Sequence, residues 1–216
     1  MRVYHQTGFR ENWNRDSFID GVGDGLIFSP INIDADKLSG LDEEVKKTGF
    51  LDPQLYLLNE AKGTLHTYPY FPGNLIPDFT TPDLDNSHLQ MAKLCVDYQV
   101  SNNFEYLVIP VRYFSDIPTS YFSQSTEYFV NPFCDYVREN KISKNILLSV
   151  IVKPIMLADV EKRNEVLNWI TGQQHTQGVY LIFENSFNSK QIKDFDFLLN
   201  ALRLIRILKE NQLELF

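Results

Sequence analysis

Cysteine is nearly missing: Cys95 and Cys134 are the two in a chain of 216 residues, which excludes a disulfide framework of the kind that staples small secreted domains. Both stand in apolar helical surroundings, where buried free thiols are expected. Positive charge is in deficit, with 20 Lys and Arg against 28 Asp and Glu and a net charge of -8. A protein that grips nucleic acid by neutralising phosphates is therefore not expected. No window of about 18 consecutive apolar residues occurs, and the opening MRVYHQTGFRENWNRDSF lacks the apolar core of a secretion signal. These absences point to a soluble, cytoplasmic protein with no membrane segment.

Familiar catalytic signatures are missing as well. The sequence contains no GxxxxGK[ST], GxSxG, HExxH or CxxC, so nothing supports a P-loop nucleotidase, an α/β-hydrolase, a zincin or a zinc ribbon. His5, His66, His88 and His175 are scattered without ligand spacing, so no metal site is expected. DGVGDG, at Asp20 to Gly25, precedes an apolar run, whereas a dinucleotide fingerprint follows one; it reads as a turn. No cofactor is indicated.

What is present is alternation. Apolar residues make up 44% of the chain, enough for a sizeable core. Five short apolar runs recur: Asp24 to Asn32, Phe50 to Leu57, Phe104 to Phe114, Asn145 to Ile155, and Gly178 to Asn185. Their nearly continuous hydrophobicity is that of strands covered on both faces. Segments of helical spacing lie between them. SHLQMAKLCVDYQV places Leu89, Ala92, Leu94, Val96 and Val100 near one face with Ser87 as cap, and the regular part of STEYFVNPFCDYVREN begins near Pro132. DVEKRNEVLNWITGQQ carries Val160, Val166, Leu167 and Ile170 between an Asp159 cap and a Gly172 stop. A last helix, Ser189 to about Leu213, presents Phe195, Leu198, Leu199, Leu202, Ile205 and Leu208.

The expectation is a single α/β domain over residues 1–216: a mostly parallel sheet with helical crossovers, TIM-barrel-like or a partial barrel, with an open doubly wound sheet as the alternative. The strings GLIFSPIN, DPQLY and LIFEN give a general likeness to barrel-type proteins without matching any family motif residue by residue. Residues 57–86, with Pro69, Pro72, Pro77 and Pro82 among aromatics, read as an insertion or lid. Tyr113 to Phe129 reads as a second loop, rich in Ser and aromatics.

In parallel α/β folds the carboxyl ends of the strands carry the site. Those ends offer Asp52, Lys153 and Glu184 for catalysis, and Asn32, Gln54, Arg112, Tyr113 and Asn185 for binding. Arg112 suits a phosphate or carboxylate, Lys153 an electrophile or Schiff-base amine, and Asp52 or Glu184 a base. Each also has a structural reading: Arg112 as half of an ion pair with Glu184 or Asp116, Asp52 as a turn former before Pro53. The expected ligand is a small anionic or nucleotide-like molecule. Leu213, Leu215 and Phe216 form an apolar tip that suggests a homo-oligomer or a partner protein, and hence a competing reading as a non-catalytic subunit.

Overall fold

The computed structural model describes residues 4–6, 24–28, 50–51, 84–112, 119–183 and 195–216. The chain forms two compact units, Met1–Ile146 and Leu147–Phe216. The expected insertion falls outside the described residues up to position 83, as do the proposed caps Asp34 and Asp36.

In the first unit β1 (Tyr4–Gln6), β2 (Gly25–Phe28) and β3 (Phe50–Leu51) lie in that order as a parallel sheet. Strand β1 is too short and too polar to stand out in the sequence. Helix α1 (Asn86–Ser101) follows, then β4 (Tyr106–Val108), α2 (Tyr121–Ser125), a π-helical segment (Thr126–Val130) and α3 (Asn131–Glu139). The part of the expected Ser-rich loop from Tyr121 onward is thus helical, and Pro132 does sit in the first turn of α3.

Two expectations for α1 are corrected. Its cap is Asp85, whose Oδ1 accepts from the Ser87 amide at 2.9 Å, while His88 Nδ1 accepts from the Asp85 amide at 3.2 Å. The residues it buries are His88, Met91, Ala92, Cys95, Val96, Tyr98 and Gln99, whereas Leu89, Leu94 and Val100 are only half-buried. Two polar groups on that stripe disguised it. Around it Phe104 stacks on Phe28 with ring centres 5.0 Å apart, and Phe129 and Phe133 complete an aromatic core. Both thiols lie inside, as expected; burial pushes Cys95 up to about 12 and Cys134 to about 11.

Gln99 ties α1 to β4. It is fully buried, and its Nε2 donates to the Val108 carbonyl at 3.0 Å while its Oε1 accepts from the Val108 amide at 2.7 Å. One side-chain amide thereby satisfies both backbone groups of a strand residue, as a neighbouring strand would.

The second unit holds most of β5 (Asn145–Val152), then α4 (Pro154–Ala158), α5 (Val160–Thr171), β6 (Gly178–Phe183), α6 (Phe195–Glu210) and β7 (Glu214–Leu215). Strands β5, β6 and β7 are consecutive in one parallel sheet, with Leu147 to Val152 registering on Gly178 to Phe183 and Gly178 and Val179 on Glu214 and Leu215. These are two successive βαβ crossovers. Gly178 is required where three strands meet: a Cβ there would lie 2.8 Å from the Glu214 carbonyl oxygen and 2.9 Å from Leu147 Cδ2. Asp159 caps α5 through the Glu161 and Lys162 amides, and Gly172 ends it, both as expected.

The last helix is shorter than its apolar pattern. It ends at Glu210, and its buried residues are Ala201, Leu204 and Leu208; Phe195 is 72% and Leu202 54% exposed, and Val160 on α5 is 58% exposed. Glu214 and Leu215, expected in a helical tip, instead pair with β6, and Phe216 continues the ladder through bonds of its amide to Val179 and of the Leu181 amide to its carbonyl. Leu213, Leu215 and Phe216 are half-buried there.

Three helices stop the same way. Asn102, Asn140 and Asn211 each send Nδ2 back to the carbonyl four residues earlier, at 2.8, 2.9 and 2.9 Å. The next residues, Asn103, Lys141 and Gln212, take left-handed backbone at φ 55°, 54° and 62°. The residue after that, Phe104, Ile142 or Leu213, donates its amide five residues back, the pattern of a Schellman cap without glycine. Each cap leads into a strand: β4, β5 and β7. After the first of them, Lys144 braces the turn, with Nζ donating to Asn103 Oδ1 at 3.3 Å and to the Phe104 carbonyl. The architecture is mixed α/β with parallel strands and helical crossovers; among the described residues neither sheet closes on itself.

Candidate functional site

Arg112 follows β4 after three buried residues, Ile109, Pro110 and Val111, and is itself 1% exposed. Its guanidinium lies 5.4 Å from the centre of the Tyr121 ring and 5.8 Å from that of Phe129. Two aromatic faces stabilise a desolvated cation by about 2 kcal/mol or more. Its Nη2 also donates to Gln124 Oε1 at 3.4 Å, and the Tyr121 hydroxyl donates to the Arg112 carbonyl at 2.9 Å. Burial lowers the guanidinium pKa and the neighbouring Tyr121 counters it; burial pushes Tyr121 up to about 12, so the phenol is protonated at neutral pH.

The cradle depends on the π segment. The Asn131 amide bonds the Thr126 carbonyl five residues back, a geometry found frequently at functional sites. It seats Phe129 against Arg112 and, edge-on at 6.2 Å, against His88. Gln124 and Phe129 were invisible as site neighbours in the sequence, because their shared environment depends on how α2 passes into the π turn.

Lys153 lies at the carboxyl end of β5. It is 5% exposed, its backbone is still extended at φ -95° and ψ 151°, and Pro154 starts α4 immediately after it. The Lys153 amide donates to Met156 Sδ at 3.4 Å and its carbonyl accepts from the Met156 amide at 3.0 Å. The strand expected to run to Ile155 therefore stops at Val152, because proline supplies the fixed φ of a first helical turn but no ladder donor. Val152 registers on Phe183 as the last described pair of that ladder.

Asn32, Asp52, Gln54, Tyr113, Glu184 and Asn185 lie outside the described residues, as does Asp116. Arg112 belongs to the first unit and Lys153 to the second. Among the described residues no group of His, Cys, Asp or Glu could hold a metal ion, and no helix is long and apolar enough to cross a membrane. Of the histidines, His88 is a buried capping residue and His175 an exposed turn residue. Comparison with protein-family models, curated proteins and solved structures finds no match for this chain.

Proposed function

We propose that the chain binds a small anionic or nucleotide-like molecule at the carboxyl ends of its strands, the candidate anion contacts being Arg112 in the first unit and Lys153 in the second, each considered within its own unit. One observation carries this: among the described residues, Arg112 and Lys153 are the lysine and arginine side chains that are buried, at 1% and 5% exposure, and each follows a strand end. In a chain of net charge -8, cations withdrawn from water at those positions favour an anion as ligand. Asn32, Gln54, Tyr113 and Asn185 complete the proposed binding set, and Asp52, Lys153 and Glu184 the catalytic one. The sequential parallel strand order within each unit fits the barrel-like reading of the fold, and each half of a doubly wound sheet has the same order.

The test is thermal unfolding with a panel of nucleotides and sugar phosphates. A ligand at a hundred times its Kd raises the midpoint by about 5–10 °C, and Arg112→Leu or Lys153→Met abolishes the rise. No shift with any member at millimolar concentration refutes the reading. The competing reading, a non-catalytic subunit, draws on exposed Ile155, Val160, Phe195 and Leu202 in the second unit. It predicts an assembly larger than a monomer by light scattering together with indifference to every ligand.

A further inference from the structure

Arg112 stands beyond the last residue of β4, Val108, so the ladder of that strand does not set where its side chain goes. An arginine side chain is long and rich in rotamers, and a guanidinium meets a carboxylate or phosphate through hydrogen bonds that lie in its own plane. A buried arginine that serves an anion therefore has to be aimed as well as charged.

Tyr121 touches Arg112 at both ends. Its hydroxyl donates to the Arg112 carbonyl at 2.9 Å, which ties down the root of the side chain, and its ring centre lies 5.4 Å from the guanidinium carbon at the tip. A tyrosine side chain has few rotatable bonds, so one that holds both ends leaves the span between them little freedom. Tyr121 is itself well anchored: it is 6% exposed, it opens α2, and its ring meets that of Phe122 edge-on at 5.3 Å. Burial keeps its hydroxyl protonated, and hence a donor, at neutral pH. Gln124 lies one turn along the same helix, where residues three apart share a face, and its Oε1 accepts from Arg112 Nη2 at 3.4 Å. Helix α2 thus offers the guanidinium a ring and an amide from one face, and the π segment adds the Phe129 ring.

We propose that Tyr121, backed by Gln124, is a positioning residue for Arg112, holding the guanidinium in one orientation toward an oxyanion. The inference rests on the anion-contact reading of Arg112 given above. Its test is NMR of the intact chain with arginine labelled at Nε, the Arg112 signal being assigned by its loss in Arg112→Lys. The wild type shows a slowly exchanging Arg112 Nε proton and contacts between the Arg112 side chain and the Tyr121 ring. Tyr121→Leu accelerates that exchange about tenfold, the size of a desolvated cation–π contact. Tyr121→Phe keeps the ring and loses the tether to the carbonyl, and it accelerates exchange about threefold. Gln124→Glu slows the exchange and Gln124→Ala quickens it, opposite signs that a merely space-filling α2 would not produce. A rate unchanged in both Tyr121 variants overturns the proposal; if Tyr121→Leu does not fold, an unchanged rate in Tyr121→Phe does so alone. The readout needs no ligand. In the melting panel, Tyr121→Phe reduces the rise that Arg112→Leu abolishes. Absence of any rise together with a positive exchange result refutes the binding reading alone, and a rise in the wild type with unchanged exchange rates refutes the positioning role alone.

Discussion

Replacing Gln99 by leucine keeps the volume of a fully buried side chain and removes its polar atoms. The partners stay behind: the Val108 amide loses an acceptor at 2.7 Å, the Val108 carbonyl a donor at 3.0 Å, and the Cys95 carbonyl a second donor at 3.0 Å. The Cys95 carbonyl keeps the Gln99 backbone amide of the helix, so the loss falls on Val108, which is fully buried. A buried backbone group left unsatisfied costs about 1–3 kcal/mol, and two give roughly 2–5 kcal/mol for Gln99→Leu. Gln99→Glu keeps an acceptor for the amide but sets a carboxylate oxygen against the carbonyl, and it costs more than the leucine. Urea unfolding followed by tryptophan fluorescence and circular dichroism measures both. A Gln99→Leu value within about 0.5 kcal/mol of wild type, the range of an ordinary surface change, would show that the amide is not the strand's partner.

Lys141→Gly removes the cost of a left-handed backbone at an exposed position and is expected to stabilise by about 1 kcal/mol in urea unfolding; a destabilised variant contradicts the cap. Asp85 is held down to about 2, first by the Ser87 hydroxyl and then by His88 and the Ser87 amide. Its folded pKa is depressed below an unfolded value of about 3.9, so its contribution is full above that value and disappears as pH falls toward about 2. The gap between wild type and Asp85→Asn in urea midpoint therefore narrows from pH 5 to pH 2. A constant gap across that range refutes the assignment.

The cores of β5 and β6 were legible because doubly covered strands read as unbroken apolar runs, and α5 was legible because Asp159 and Gly172 are ordinary cap residues. Ends and faces were harder to read. The run NILLSVIVKPI continues in composition through Ile155, yet Pro154 changes its conformation. The buried stripe of α1 includes His88 and Gln99, and apolar spacing alone points instead to Leu89 and Leu94. Glycine is the usual mark of a helix stop, whereas SNNF, ENKI and ENQL use an asparagine amide and a left-handed polar residue. That recurrence marks the end of α6 at Glu210. Arg112 and Lys153 were both found from position alone, since each follows an apolar run. Their surroundings were not, because Phe129 and Gln124 reach Arg112 through helical turns, and Met156 meets the Lys153 backbone through the turn that Pro154 opens.

The Gln99 amide also bears on what the protein does at high concentration. An amide and a carbonyl pointing out from the same strand residue are what a strand from another molecule needs in order to add itself to a sheet and start a fibre. At Val108 both are already engaged by a side chain that cannot be displaced without opening the α1 core, so this strand residue is guarded against pairing with an incoming strand. Loss of that guard would appear as turbidity on standing, in a variant that is still largely folded.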